Sequence, residues 1–278
     1  MTKKTPKVSV LTPIYNTRPE HLRAMIESIL NQTFTDFEFL ILNDSPDNTE
    51  IEKIVLDYAK RDKRIKYSKN DKNMGITPSR NKLLDMARGE YVAVFDHDDI
   101  SMPERLALEV EVLDKNPEIG LVSGWTHVFD QNDIISKTPE HDIDIKIGLT
   151  RYCCIAHSAC MIRKSVLDTN NIRYEEYYSP AEDYRIFVKL MDVTHLYNIQ
   201  EVLLEYRDSV NNTTTTNRSK LDYAHSVVKE ECCANHPFFA SKNNDVKMRV
   251  RLFGIIPLFK IKRGWFWLFE CLPILKVR

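Results

Sequence analysis

Over the first hundred residues, short apolar runs alternate with stretches of helical periodicity. Val8-Ser9-Val10-Leu11, Phe37 to Leu42, the weaker Ile65-Lys66-Tyr67 and Tyr91 to Phe95 are short and β-rich, and Phe39 to Leu42 is continuous enough for a strand covered on both faces. Between them, Leu22, Met25, Ile26, Ile29 and Leu30 mark one buried helical face after Pro19, and Ile51, Ile54, Val55 and Tyr58 mark a second. A third helix is expected after Thr77-Pro78, read as an N-cap followed by proline, with Leu83, Leu84 and Ala87 inward and Gly89 closing it. This order predicts an α/β fold: a mostly parallel central sheet with right-handed crossovers, flanked by helices. Its consequence is spatial. The segments Thr12 to Asn16, Asn43-Asp44, Asn70 to Gly75 and Asp96 to Asp99 all leave the same strand edge, so polar residues spread over ninety positions should converge.

The later pattern is less regular. It suggests a helix from Pro103 to Asn116, strands at Ile119 to Trp125, Ala159 to Ile162 and Val202 to Tyr206, and a helix from Asp183 to Met191. A polar loop at Asn211 to Asn217 precedes a helix from about Ser219 to Cys233. We divide the chain into residues 1–100, 101–215 and a C-terminal extension, 216–278, helical and then amphipathic. The tail contains a short repeat: Leu252 to Lys262 recurs as Leu268 to Arg278. Two copies are too few for a solenoid, and neither has the ~18–20 uninterrupted apolar residues of a membrane span.

Composition changes the picture in three places. The 278 residues, 43% hydrophobic and 28% charged, are ordinary for a folded protein, but 7 glycines leave little for glycine-rich phosphate loops. Six cysteines include two adjacent pairs and no zinc spacing, and a strand-like run follows Met1 to Lys7 directly, so a reducing, cytoplasmic setting is expected. The net charge of −1 conceals a tail, residues 247–278, with eight Lys or Arg against Glu270 alone. Basic residues interleaved with Trp265, Phe266, Trp267 and Phe269 fit a segment lying on an anionic membrane surface; a C-terminal hairpin packed on the body is the alternative. The acidic remainder argues against nucleic acid as a partner.

Three carboxylates in four positions, Asp96-His97-Asp98-Asp99, follow the last apolar run. Like charges this close need a cation or donors to hold them, and Mg²⁺ or Mn²⁺ carrying a diphosphate suits carboxylate and phosphate oxygens. A solvated acidic turn capping the next helix is the plainer reading.

These residues have a family likeness. Val8 to Asn16, Leu30 to Glu38, Leu42 to Ser45, Asn73 to Asn81, Ala87 to Asp99 and Ala181 to Tyr184, in that order, resemble the inverting family 2 glycosyltransferases of GT-A fold, and the basic tail looks like that of bacterial enzymes building capsule or lipopolysaccharide. The resemblance implies hexosyl or N-acetylhexosaminyl transfer, with inversion, from a nucleotide diphosphate donor (UDP by family habit) to a glycan or lipid-linked glycan on the inner face of the cytoplasmic membrane. Mn²⁺ or Mg²⁺ is the implied cofactor. On this basis Asp98 is the metal ligand, with Asp96 sharing the metal or holding ribose. Thr12, Pro13 and Tyr15 wall the base, and Asp44 accepts from a uracil N–H. Arg80 meets the phosphates or is an exposed helix arginine, and Asp183, beside Glu182, removes the acceptor proton or caps its helix. The chain departs from the pattern at Asn43-Asp44-Ser45-Pro46, where two adjacent acids are usual, and after Tyr206-Arg207, where Asp208-Ser209 replaces a usual nearby histidine. A sugar nucleotidyltransferase and a non-catalytic binding protein are the rivals; the first normally needs an early glycine loop, and no glycine precedes Gly75.

Overall fold

The computed structural model describes residues 5–208 and 218–242, and the backbone of four further strands between 248 and 276. The alternating first part is β1 (Val8–Ile14), α1 (Pro19–Leu30), β2 (Phe37–Asn43), α2 (Thr49–Arg61), β3 (Ile65–Lys69), α3 (Ile76–Met86) and β4 (Tyr91–Val94). All four strands run parallel, in the order β3-β2-β1-β4. Every residue of β1, β2 and β4 is buried, which explains their continuous apolar runs. α1 turns Leu22, Met25, Ile26 and Ile29 onto the sheet, and Asn48 caps α2 by accepting from Ile51 N–H at 3.3 Å. The order reverses at β1, so the crevice at the carboxyl ends of β1 and β4 is the topological switch point.

The second part extends the same sheet with mixed pairing: β5 (Ile100–Ser101), α4 (Arg105–Lys115), β6 (Ile119–Asp130), β7 (Ile134–Ser136), α5 (Asp142–Leu149), β8 (Met161–Arg163), α6 (Lys164–Thr169), α7 (Glu182–Leu190) and β9 (His195–Asp208). β8 lies antiparallel between β4 and β6, β9 runs parallel to β6, and β5 pairs antiparallel with β9. Residues 1–100 and 101–215 therefore share one sheet where both are described. Then follow α8 (Arg218–Asn235) and α9 (Pro237–Lys242). No described helix is long and apolar enough to cross a membrane.

Several boundaries differ from the sequence expectation. α3 is capped by Gly75, not Thr77: Gly75 sits at φ 88° and donates its N–H to Asp44, starting the helix earlier than expected. The helix expected from Pro103 begins at Arg105, because Pro103 C=O accepts from Thr33 N–H outside the helix. His157 to Ala159 form a 3₁₀ turn before β8. The tail backbone forms an antiparallel sheet of β10 (Met248–Leu252), β11 (Ile256–Lys262), β12 (Trp265–Leu268) and β13 (Leu272–Lys276), so the repeat corresponds to recurring strands. The expected loop at 211–217 and the membrane contact of the tail side chains lie outside the described residues.

Beneath the switch point, Arg105 and Glu109 form a fully buried ion pair at 3.1 Å. Arg105 also donates to the carbonyls of Val94 and Cys160, at 2.9 and 3.3 Å, where β4 meets β8. The pair thus ties α4 to the strand end that carries the acidic run.

Candidate active site

A cleft of about 840 Å³ opens at the switch point. Its wall is assembled from the ends of β1, β2 and β4, the start of α3, the start of α7, and α8. Pro13, Tyr15, Asp44, Arg80, Asp96, Asp98, Glu182 and Asp183 all line it. Of the residues singled out from sequence, Thr12 does not: it is fully buried within β1, and its hydroxyl has no hydrogen-bond partner.

Asp44 is built in rather than exposed. It is 4% accessible. One oxygen accepts from Asn70 Nδ2 at 2.7 Å and Met74 N–H at 2.8 Å; the other accepts from Gly75 N–H at 2.8 Å. A carboxylate has about four acceptor positions, so roughly one is left for a ligand N–H. Asp44 therefore fixes the loop before α3 while presenting an edge to the cleft. Tyr15, 48% exposed, also lines this cleft.

Arg80 lines the cleft and is not an exposed helix residue. Its side chain is 11% exposed and bridges Asp96 at 3.0 Å and Glu182 at 2.7 Å. It ties the β4 end to the start of α7, whose Glu182 lies 102 residues after Arg80 in the chain. Burial favours the neutral form of Asp96, but the Arg80 guanidinium outweighs it and holds the carboxyl below its usual range.

The three acids after β4 have separate surroundings. Asp96 is paired with Arg80. Asp99 is 1% exposed and accepts from Arg207 N–H at 3.0 Å; burial, then Asp98 and Asp96, push its carboxyl well above the usual range. The Asp98 carbonyl accepts from Arg207 Nε at 3.0 Å, while among the described residues its carboxylate takes no hydrogen bond or ion pair. Asp98 is thus the acid left open to a ligand. No group of three or more metal-ligating side chains occurs among the described residues; a divalent cation held at Asp98 would take most of its oxygen ligands from substrate and water. That donor set fits Mn²⁺ or Mg²⁺ with a diphosphate.

Asp183, which also lines the cleft, sits in the first turn of α7 and accepts from Tyr184 N–H at 2.7 Å. Burial, reinforced by Glu182, raises its carboxyl from 3.8 to about 6, against the pull of Arg80. A carboxyl tuned near neutrality and facing an open cleft is suited to accept a proton. His157 lies behind this wall. It is buried, its Nε2 is 2.8 Å from Tyr174 Oη, and burial lowers its pKa to about 3.

The cleft also contains Thr17, Arg18 and His21, Ser179-Pro180, Tyr206, and Leu221 with His225. Apart from Tyr206, which the family resemblance had picked out beside Arg207, none had a sequence signal. They come from the loop after β1 and the start of α1, the turn before α7, strand β9 and the face of α8, segments far apart in the chain, and His97 also lines the cleft.

Residues 9–170 match the model of glycosyl transferase family 2. The chain belongs to that family. The glycosyltransferase is 35% identical to an uncharacterized glycosyltransferase of Methanocaldococcus jannaschii, over 73% of this chain and 71% of the relative. It is 29% identical to an Escherichia coli UDP-Gal:alpha-D-GlcNAc-diphosphoundecaprenol beta-1,3-galactosyltransferase, over 83% and 84% of the two chains. Among solved structures, Staphylococcus aureus TarS residues 1–349 with UDP-GlcNAc superposes with a TM-score of 0.66 at 21% identity, covering 87% of this chain and 76% of that one. A Pyrobaculum calidifontis mannosyltransferase with GDP-Man and Mn²⁺ gives 0.63 at 16%, covering 84% and 65%. The fold is that of GT-A glycosyltransferases, as the order of motifs implied.

Proposed function

We propose that this glycosyltransferase moves a sugar from a UDP-sugar to a hydroxyl of a lipid-linked saccharide, in one displacement with inversion. The observation that carries the reading is the presence, within one cleft, of an open Asp98 and an Asp183 raised to about 6. The galactosyltransferase relative is named for a UDP-sugar and a lipid-diphosphate acceptor, and TarS holds UDP-GlcNAc, which supports this donor and acceptor class.

In this reading Pro13 and Tyr15 pack the base, and Asp44 gives its remaining acceptor position to a base N–H. Asp98, with Asp96 beside it, would hold Mn²⁺ or Mg²⁺, which when bound supplies charge neutralisation to a departing diphosphate. Arg80 fixes Asp96 and Glu182 relative to each other. Asp183 takes the acceptor hydroxyl's proton as that oxygen bonds the anomeric carbon, and the bond from that carbon to the diphosphate breaks on the opposite side. A positioned base contributes roughly 10²–10⁴-fold. The same reading puts residues 247–278 on the inner face of the cytoplasmic membrane, beside the acceptor lipid.

The test is the product. Purified enzyme, UDP-sugars and saccharide-diphosphate lipids are incubated with Mn²⁺, and the new anomeric configuration is read by NMR. Transfer from an α-linked donor should give a β-linked product. A retained configuration would contradict single displacement, and UDP release without acceptor capture would contradict the acceptor class.

A further inference from the structure

The family match ends at residue 170, yet the cleft does not. One wall is α8. Leu221 and His225, one helical turn apart on the same face, line the cleft with Pro180, Glu182 and Asp183. The helix is anchored beside that wall. Ala224, Val228 and Cys232 are buried, Tyr178 Oη donates to Glu231 at 2.9 Å, and Arg185 lies 3.3 Å from the same carboxylate. Because Tyr178 and Arg185 flank Asp183 in the chain, α8 is held in register with it.

His225 packs its ring edge-on against Tyr184, with centroids 5.5 Å apart, but its nitrogens take no hydrogen bond among the described residues. It is part-exposed and lines the cleft. Burial and Arg218 hold its pKa below the usual value, against Asp222 and Glu182. A neutral imidazole carries one donor and one acceptor, the same pair that a sugar hydroxyl offers. Leu221 beside it supplies an apolar contact for the C–H face of a pyranose.

We propose that Leu221 and His225 form a subsite for the acceptor saccharide, with His225 hydrogen-bonding one of its hydroxyls, so that α8 selects the acceptor. This rests on the transferase reading above. It assigns acceptor choice to a helix beyond the matched family segment.

The experiment compares native enzyme with His225→Phe, His225→Gln and Leu221→Ala on a panel of alkyl-diphosphate-linked saccharides headed by N-acetylglucosamine. It measures acceptor KM, donor KM, UDP affinity and thermal midpoint. Phenylalanine keeps the packing on Tyr184 and removes the hydrogen bond. His225→Phe should therefore raise acceptor KM about tenfold, with donor KM, UDP affinity and midpoint unchanged, and His225→Gln should recover part of the loss. Native acceptor KM in His225→Phe would overturn the proposal, leaving the ring a packing role only. A raised donor KM or weakened UDP binding would also overturn it, by placing the helix on the donor side. If native enzyme transfers to no member of the panel, the transferase reading falls, and this inference with it.

Discussion

Replacing Asp183 with asparagine should stop transfer and make the protein more stable. The carboxyl stands at about 6 against an ordinary 3.8, with burial and Glu182 the main causes. Each tenfold change in proton affinity between fold and unfolded chain is worth about 1.4 kcal/mol, so ionising this carboxyl in the fold costs about 3 kcal/mol. The sign follows from proton counts. Between 3.8 and about 6 the folded protein binds more proton at this site than the unfolded chain, so stability falls as pH rises through that window. Above it the full cost is present. Asp183→Asn keeps the shape and removes the charge, so at pH 7.5 the variant should gain up to about 3 kcal/mol, shrinking to about 1 kcal/mol at pH 4.5. In domains of this size each kcal/mol moves the thermal midpoint by about 2–4 °C. Urea and thermal unfolding of both proteins at the two pH values measure it, alongside a transfer assay and UDP binding, which should be nearly intact. No gain at pH 7.5, or an equal gain at both, would refute the electrostatic account of the site. Loss of UDP binding would contradict the placing of Asp183 on the acceptor side.

Three further outcomes follow from the same structure. Native transfer should fall about tenfold for each step of one in pH below about pH 6, as the Asp183 base takes its proton; a rate flat down to pH 5 would assign the proton elsewhere. Arg105→Met should cost about 3–5 kcal/mol in urea unfolding, because it strands the buried Glu109 and releases the carbonyls of Val94 and Cys160, and an unchanged midpoint would remove the pair as the tie between α4 and β4. Deleting residues 247–278 should release the protein from anionic liposomes in a sedimentation assay, whereas unchanged binding would rule the tail out as the anchor.

What the sequence made legible, and what it did not, has a physical pattern. β1, β2 and β4 were visible because a strand covered on both faces is apolar throughout, and α1 because its Leu22, Met25, Ile26 and Ile29 face repeats every turn. The convergence of Pro13, Tyr15, Asp44, Asp96 and Asp98 then followed from parallel topology alone. β6 and β9 were seen only in part, since they run to Asp130 and Asp208 through half-buried positions where the alternation is diluted. Arg80 was ambiguous because its meaning depends on Glu182, 102 residues away, and no local pattern encodes that contact. Asp44 was chosen as a ligand edge, but its work in fixing the Met74 and Gly75 amides became visible only with the loop in place. Leu221 and His225 were missed because a helix face toward a cleft has the same periodicity as one toward a core.

The most direct test of the central claim is thermal unfolding with UDP, GDP, dTDP and CMP, each with and without Mn²⁺, for native protein and Asp98→Ala. Ligand at about 100 times its Kd should add about 2.7 kcal/mol of stability. The account predicts a UDP shift that requires both Mn²⁺ and Asp98. A UDP shift of equal size in Asp98→Ala, or no metal-dependent shift with any nucleotide, would contradict it.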